Sequence, residues 1–208
     1  MRSKFDEQLA LLNRDLTKMG SLCEEALALA AKALANADGQ TAAKIAPIDS
    51  EIDQMERTIE SLCLKLLLQQ QPVARDLRQI SAALKMITDM ERIGDQASDI
   101  AEIIGFLNGR IGTDAQYICQ MAVAAMRMVT ESVEAYVKRD VAMAEATIQH
   151  DDVVDDLFLK VKESLIQMIS ENPKDGEYAL DLLMIAKYFE RIGDHATNIA
   201  EWVVFSVT

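Results

Sequence analysis

Apolar residues recur every three or four positions along nearly the whole chain, which is the spacing of one face of an α-helix. Breaker residues interrupt this pattern at a few points, among them Asn36–Gly39, Gln71–Pro72 and Asn172–Pro173. No segment carries the alternating pattern of a half-buried strand. The sequence therefore predicts an all-α fold of six long helices, the first five ending near residues 36, 71, 107, 138 and 172 and the sixth close to the C-terminus.

Helix starts are marked by short polar side chains that can accept hydrogen bonds from the first backbone amides of a helix. Ser3 and Thr113 each open a pattern typical of a capping box. Asp140 and Asp175 precede the fifth and sixth helical segments. We therefore expect these four residues to be helix N-caps.

The helical segments divide into two sets of three. Helices of about 30 residues are ~45 Å long, and short connections require neighbouring helices to pack antiparallel. Asn108–Gly112 is the single glycine-rich connection in the chain. We predict two tandem, pseudo-symmetric, antiparallel three-helix bundles over residues 1–108 and 113–208, joined by a linker at residues 109–112.

One sequence motif occurs twice, once in each half. Residues 91–102 align without a gap on residues 190–201, an offset of 99 residues, and both copies begin Glu-Arg-Ile-Gly-Asp. Repetition at a fixed offset indicates one structural unit used twice. Because the motif places two carboxylates four residues apart on a helix, it directs attention to the acidic residues.

The acidic residues of the motif continue an apolar helix face. At about 100° per residue, Glu91 and Asp95 fall on the same stripe as Ile80, Leu84 and Ile87. Gly94 and Gly193 lie near this inward stripe, where a helix or an ion can approach closely. The polar face of the same helix is predicted to carry Arg78, Lys85, Asp89, Arg92 and Gln96.

A second set of acids flanks the apolar face of the preceding helix in each half. Carboxylates drawn toward a helix seam are unfavourable by several kcal/mol each unless they are paired or bind a cation. All-oxygen ligand sets suit hard cations such as Mg, Mn, Ca or iron. Ordinary surface carboxylates paired with Lys and Arg are the alternative. The candidate metal ligands are Asp49, Asp53, Glu91, Asp95, Asp151, Asp155, Glu190 and Asp194, with Asp99 and its counterpart Asn198 as further candidates.

Composition narrows the function classes. A net charge of −13 argues against binding nucleic acid and suits a cation or a basic protein partner. Three widely spaced cysteines are typical of reduced core thiols in a cytosolic protein. No signal peptide and no apolar run of ~20 residues for a membrane span is evident. We expect a soluble, cytoplasmic protein without a transmembrane segment.

Enzymatic alternatives find less support. A ferritin-like di-iron bundle needs Glu-x-x-His on two helices, and neither His150 nor His195 follows a Glu by three positions. His195 is expected on the surface with Tyr188 and Trp202, in a patch suited either to a partner or to packing between bundles. We therefore expect no catalytic residues, while a carboxylate-bridged di-iron enzyme or another metalloenzyme remains the alternative.

The segment Gln71–Arg78, followed by the two copies of the doubled motif, resembles the PhoU family of phosphate-signalling regulators over nearly the whole chain. The resemblance implies a cytoplasmic, often dimeric protein that represses the phosphate-starvation regulon. It further implies a link between a phosphate ABC transporter and a phosphate-sensing histidine kinase. Such proteins bind iron, zinc, nickel, manganese or magnesium at sites matching Glu91/Asp95 and Glu190/Asp194 and the acids facing them.

Overall fold

The computed structural model describes residues 2–69, 73–107, 109–111 and 115–208. These residues form helices and no β-strand, so the predicted all-α class is confirmed. A short 3-10 turn at Pro173–Asp175 precedes the last helix. The helices are α1 (Arg2–Asn36), α2 (Gly39–Ala42), α3 (Ile45–Gln69), α4 (Ala74–Phe106), α5 (Gln116–Lys138), α6 (Val141–Glu171) and α7 (Gly176–Val207).

The long helices form two three-helix bundles that pack side by side. Helices α1, α3 and α4 contact one another, and so do α5, α6 and α7, as the sequence predicts. In addition, α4 packs along α7 and α1 along α5, so that one apolar core runs through both halves. The helices thus form a four-helix layer, in the order α3–α4–α7–α6, beneath a two-helix layer of α1 and α5.

Two helix ends are set by residues in the left-handed backbone conformation. Ala37 has a φ of 50° and ends α1, after which the Asp38 side chain accepts hydrogen bonds from two amides of α2. Arg139 has a φ of 57° and ends α5, and Asp140 then caps α6 by accepting from the Met143 amide at 3.0 Å. The predicted stop at residues 36–39 and the predicted cap at Asp140 are confirmed. The predicted second helix is divided into the short α2 and the long α3.

Two other predicted caps differ from the structure. Ser3 lies inside α1, which begins at Arg2. Asp175 precedes α7 but makes no side-chain cap; its oxygens accept hydrogen bonds from Arg110 at 2.6 Å and from Asn172 at 3.0 Å. The predicted cap at Thr113 and the predicted breaker at Gln71–Pro72 fall outside the described residues. In the linker, Gly109 has a φ of 78°, a conformation that glycine adopts readily, and the domain boundary there stays a prediction.

Helices α4 and α7 cross at an internal pseudo-twofold axis. Gln96 Nε2 lies 3.2 Å from His195 Nε2, and these two residues occupy equivalent positions, 99 residues apart. Asp89 accepts a hydrogen bond from Asn198 at 3.1 Å, and in the reciprocal pair burial and the nearby Asp99 carboxylate raise the pKa of Tyr188. Contacts that repeat with the two halves exchanged define a twofold axis, which passes between Gln96 and His195.

The α4–α7 contact corrects two predictions. The His195 side chain is 18% exposed and its Nδ1 lies 2.8 Å from Asp89 Oδ1, so it is an interface residue rather than a surface residue. Gln96 is buried, although the helix pattern places Asp89 and Gln96 on a solvated face. Both corrections have the same cause: the face that is polar within one bundle is covered by the other bundle. The sequence left open whether Tyr188 and His195 contact a partner or pack between the bundles. For these two residues, packing between the bundles is correct.

Candidate metal centres

The first acidic seam lies between α3 and α4 and consists of Asp49, Asp53, Glu91 and Asp95. Asp49 and Asp53 lie one turn apart on α3, and Glu91 and Asp95 lie one turn apart on α4. Asp49, Asp53 and Asp95 each offer a carboxylate oxygen, and the three oxygens lie within 4.8 Å of one another. All three residues are partly buried. The two helices therefore bring together three of the four acids predicted for this half, with Glu91 adjoining Asp95.

Gly94 allows α3 and α4 to approach closely at the first acidic seam. A Cβ at this position would lie 2.7 Å from Asp49 Oδ1 and 3.0 Å from Ile52 Cδ1, closer than side-chain carbons pack. The predicted close approach at Gly94 is confirmed. It places the Asp49 carboxylate directly against the backbone of α4.

Ser98 holds one oxygen of Asp49 and leaves the other oxygen without a partner. The Ser98 hydroxyl donates a hydrogen bond to Asp49 Oδ2 at 2.8 Å, while Asp49 Oδ1 is buried without a hydrogen bond. A buried carboxylate oxygen with no partner is unfavourable in the absence of a cation or another donor. Ser98 was not predicted as a site residue; its sequence signal is its place one turn after Gly94, on the same face of α4.

Three acids of the first acidic seam, Asp49, Glu91 and Asp95, have raised pKa values. Burial raises the pKa of Asp49, and Asp95, Asp53 and Asp99 add to the increase, although the Ser98 hydrogen bond opposes it. Burial and the neighbouring Asp95 raise the pKa of Glu91. Burial likewise raises the pKa of Asp95. The shared direction means that negative charge in this seam exceeds what nearby cations compensate.

Two arginines reach the first acidic seam from solvent. Arg92 lies 3.5 Å from both Glu91 and Asp95, and Arg57 lies 3.7 Å from Asp53. The expectation that Arg92 points away from the seam is therefore wrong. Both arginine side chains are more than half exposed, and ion pairs of this kind contribute only about 0–1 kcal/mol.

The second acidic seam lies between α6 and α7 and consists of Asp151, Asp155, Glu190 and Asp194. Burial raises the pKa of Asp151 to about 6, with further contributions from Asp155, Asp194 and Glu190. A Cβ at Gly193 would lie 3.1 Å from Asp151 Oδ1, so the close helix approach is repeated here in a looser form.

The second acidic seam is not a copy of the first. Among the described residues, no three carboxylates of this seam converge as Asp49, Asp53 and Asp95 do. Asp155 and Asp194 are exposed. The ammonium of Lys187 lies 2.5 Å from Glu190 Oε2, the shortest ion-pair distance at either seam, but without hydrogen-bond geometry, so this buried oxygen, like Asp49 Oδ1, has no hydrogen-bond partner.

The two further candidates, Asp99 and Asn198, have different surroundings. Asp99 adjoins the first acidic seam, where it adds to the effect of burial in raising the pKa of Asp49 and of Asp95, and it also lies near Tyr188, whose pKa burial and Asp99 together raise. The Asn198 amide instead donates to Asp89 across the α4–α7 interface. Asn198 is thus directed toward α4 and away from the second acidic seam.

The ligand types at the first acidic seam fit a hard metal ion. Three converging carboxylates, one of them with a buried unpartnered oxygen, offer oxygen atoms only. The two histidines are engaged elsewhere, His150 with Glu131 and His195 with Asp89. An ion held here would neutralise the carboxylates and crosslink α3 to α4, which is a structural role.

The predicted reduced cysteines are consistent with the structure. Cys23 and Cys63 are buried free thiols and Cys119 is partly buried.

Within the described ranges, the helices include none that is both long and apolar enough to cross a membrane.

Comparison with known proteins places this architecture among relatives. The family model of the PhoU domain matches residues 16–104 and 118–203, one match in each half. The phosphate-specific transport system accessory protein PhoU homolog of Clostridium acetobutylicum is 36% identical, covering 100% of this chain and 95% of that protein. The protein of the same name from Pseudomonas aeruginosa is 34% identical to this chain, covering 98% of this chain and 85% of that protein.

Solved structures give the same assignment. The crystal structure of PhoU from Pseudomonas aeruginosa has a TM-score of 0.94 and 34% identity, covering 98% of each chain. The phosphate transport system regulatory protein PhoU from Streptococcus pneumoniae has a TM-score of 0.89 and 26% identity, covering 98% of this chain and 97% of that one. The relatives are named accessory and regulatory proteins. Since the family model matches more than half of the chain, the chain belongs to the PhoU family.

Proposed function

We propose that this protein is a cytoplasmic, metal-binding regulator of phosphate uptake and of phosphate-starvation signalling. In this role it is an adaptor between the cytoplasmic subunits of a phosphate ABC transporter and a phosphate-sensing histidine kinase, and it represses the phosphate regulon. The names of its relatives, an accessory protein of phosphate transport and a phosphate transport regulatory protein, support this assignment.

The observation that carries the metal-binding part is the convergence of Asp49, Asp53 and Asp95, together with the buried Asp49 Oδ1 that has no hydrogen-bond partner. Glu91 completes the ligand set in the first half, and Asp99 adjoins it. In the second half the proposed ligands are Asp151, Asp155, Glu190 and Asp194. The proposed ions are divalent or ferric: iron, zinc, manganese, magnesium or nickel.

The proposed partners follow from charge and family. A net charge of −13 suits basic surfaces on a transporter subunit or a kinase, because complementary charge accelerates and orients association. Both acidic seams lie in the four-helix layer, so an ion in either seam would change the charge of the same side of the molecule. We also propose a homodimer, as the family resemblance implies.

Metal binding is tested by converting Asp49, Asp53 and Asp95 to Asn in one variant. Purified wild-type protein should contain metal and melt at a lower temperature after chelation, and the variant, which keeps only the second acidic seam, should contain less metal and lose less of its melting temperature on chelation. A matched control with Asp6→Asn, Glu25→Gln and Glu163→Gln removes three exposed negative charges elsewhere. Equal metal content in the wild type and in the triple Asn variant would refute metal binding at this seam.

The regulatory role is tested by deleting the gene in its host and measuring phosphate-starvation transcripts in phosphate-replete medium. We expect derepression, reversed by the wild-type gene and by the control variant. Complementation by the triple Asn variant would separate signalling from metal binding. Continued repression in the deletion strain would refute the regulatory assignment.

A further inference from the structure

The two seams differ at a pair of positions that the sequence repeat aligns. Lys187 on α7 corresponds to Thr88 on α4, at the 99-residue offset of the repeat. Phe158 on α6 corresponds to Glu56 on α3, at the 102-residue offset that relates Asp151 to Asp49. The second seam therefore carries a cation and an aromatic ring where the first seam carries a neutral hydroxyl and a further carboxylate.

Lys187 is in contact with both the acids and the ring. Its ammonium lies 2.5 Å from Glu190 Oε2 and 5.4 Å from the centre of the Phe158 ring. It also lowers the pKa of Asp194 and of Asp155, two acids whose pKa burial raises. Lys187 thus interacts with three of the four acids in the second acidic seam.

This ion pair is better shielded than those at the first acidic seam. The Lys187 side chain is 45% exposed and the Glu190 side chain 16%, and their charged atoms lie 2.5 Å apart. The arginine pairs of the first seam are 3.5–3.7 Å long and come from side chains that are 58% and 69% exposed. Shielding from water strengthens an ion pair and reduces its screening by salt.

We infer that Lys187 is an internal counter-ion of the second acidic seam, which a metal ion must displace in order to bind Glu190. The inference rests on the proposed metal-binding function. The face of Phe158 offers the displaced ammonium a second favourable contact. In the first seam, Asp49, Asp53 and Asp95 already converge, and the arginines that contact Asp53 and Asp95 do so at 3.5–3.7 Å from more exposed side chains. The first seam therefore binds metal more tightly and fills first.

Reciprocal substitutions isolate the effect of Lys187. Lys187→Thr gives the second seam the residue of the first, and Thr88→Lys places a lysine three residues before Glu91, as Lys187 stands before Glu190. Thr88 is exposed, so the larger side chain is accommodated. Lys162→Thr, at an exposed position of α6, is the control for a change in net charge alone.

The experiment is a Mn²⁺ titration of the metal-free full-length protein, with free Mn²⁺ measured by electron paramagnetic resonance. We expect two classes of site in the wild type, and the Asp49/Asp53/Asp95→Asn variant identifies the tighter class as the first seam by its loss. Lys187→Thr should tighten the weaker class by about two- to fivefold, the range expected for removal of one competing ion pair. Thr88→Lys should weaken the tighter class by a similar factor, and Lys162→Thr should change neither.

Two outcomes overturn the inference in distinguishable ways. If Lys187→Thr behaves like Lys162→Thr while both seams bind Mn²⁺, Lys187 is no counter-ion and the metal-binding function stands. If the wild type binds no Mn²⁺ and Lys187→Thr binds none, the proposed metal-binding function fails and the inference fails with it.

Discussion

The packing of α3 against α4 and the geometry of the first acidic seam both depend on Gly94, whose side chain is a single hydrogen atom. Replacing it with Ala puts a methyl group 2.7 Å from Asp49 Oδ1 and 3.0 Å from Ile52. Ile52 is fully buried and has little room to move. The Asp49 side chain must therefore rotate, which breaks its hydrogen bond with Ser98.

The opposing free-energy changes can be estimated. Ala is favoured over Gly within a helix by about 1 kcal/mol. Overpacking a tight contact costs about 1–3 kcal/mol, and loss of the Ser98 hydrogen bond costs about 0.5–1.5 kcal/mol. For Gly94→Ala we therefore expect a net decrease in the free energy of unfolding of about 1–3 kcal/mol.

The assay is urea unfolding followed by circular dichroism, with a chelator present so that metal binding does not contribute. Gly105→Ala, in the same helix, is the matched control because no atom lies within 4 Å of the added methyl. It should raise the free energy of unfolding by about 0.5–1 kcal/mol. Gly193→Ala, with its nearest atom at 3.1 Å, should fall between the two.

A Gly94→Ala protein as stable as the Gly105→Ala protein would contradict this prediction. Equal stability would mean that α3 and α4 are further apart than the structure shows. The first acidic seam would then also be wider, and its carboxylates would not converge closely enough to bind one metal ion between the two helices.

Further predictions concern titration, the interface between the halves and a helix end. In metal-free protein at pH 8, Asp151→Asn should be more stable than wild type by about 1 kcal/mol after allowance for solvent screening. The folded wild type takes up a proton at Asp151 near pH 6, whereas the unfolded chain does so near pH 3.8, so the stability gain of Asp151→Asn should shrink as the pH falls through 6. Urea unfolding measured across this pH range tests the prediction. A larger gain from the exposed control Asp152→Asn would contradict it. His195→Ala should lower the free energy of unfolding by about 1–3 kcal/mol in the same assay, because the Asp89 side chain, which is 15% exposed, loses one of its partners. A free energy of unfolding equal to that of the wild type would contradict the contact between His195 and Asp89. Ala37→Gly should raise the free energy of unfolding by about 0.5–1 kcal/mol because its φ is 50°, and a lower melting temperature would contradict this.

The sequence predicted those features that depend on one helix and its nearest apolar neighbours. Helical periodicity and the breakers at residues 36–39 and 172–173 predicted the helix ends. The spacing of about 100° per residue placed Asp49 and Asp95 beside the apolar faces that meet between α3 and α4. The same angular spacing identified Gly94 as a position where another helix can approach α4 closely. These properties follow from the local period of the chain.

Features that depend on the second bundle were not predictable in this way. Asp89 and Gln96 have a polar pattern that is also typical of a solvated face, and only the packing of α7 onto α4 shows that Gln96 is buried. Ser98 and Lys187 were missed for another reason. Each acts through a single contact, Ser98 with Asp49 and Lys187 with Glu190, and the helical period specifies the face of a residue but not its individual partner.

The pairing of Gln96 with His195 on the pseudo-twofold axis has a consequence for the chain as a single polypeptide. In a symmetric assembly of two identical halves, each residue on the axis would face its own copy, so that Gln would meet Gln or His would meet His. Joining the halves in one chain removes that restriction, since each side of the axis can be encoded separately. The amide of Gln96 beside the imidazole of His195 is a combination that only the joined form allows. The same freedom applies to every aligned pair in the chain, and it lets one half change its chemistry while the other keeps it.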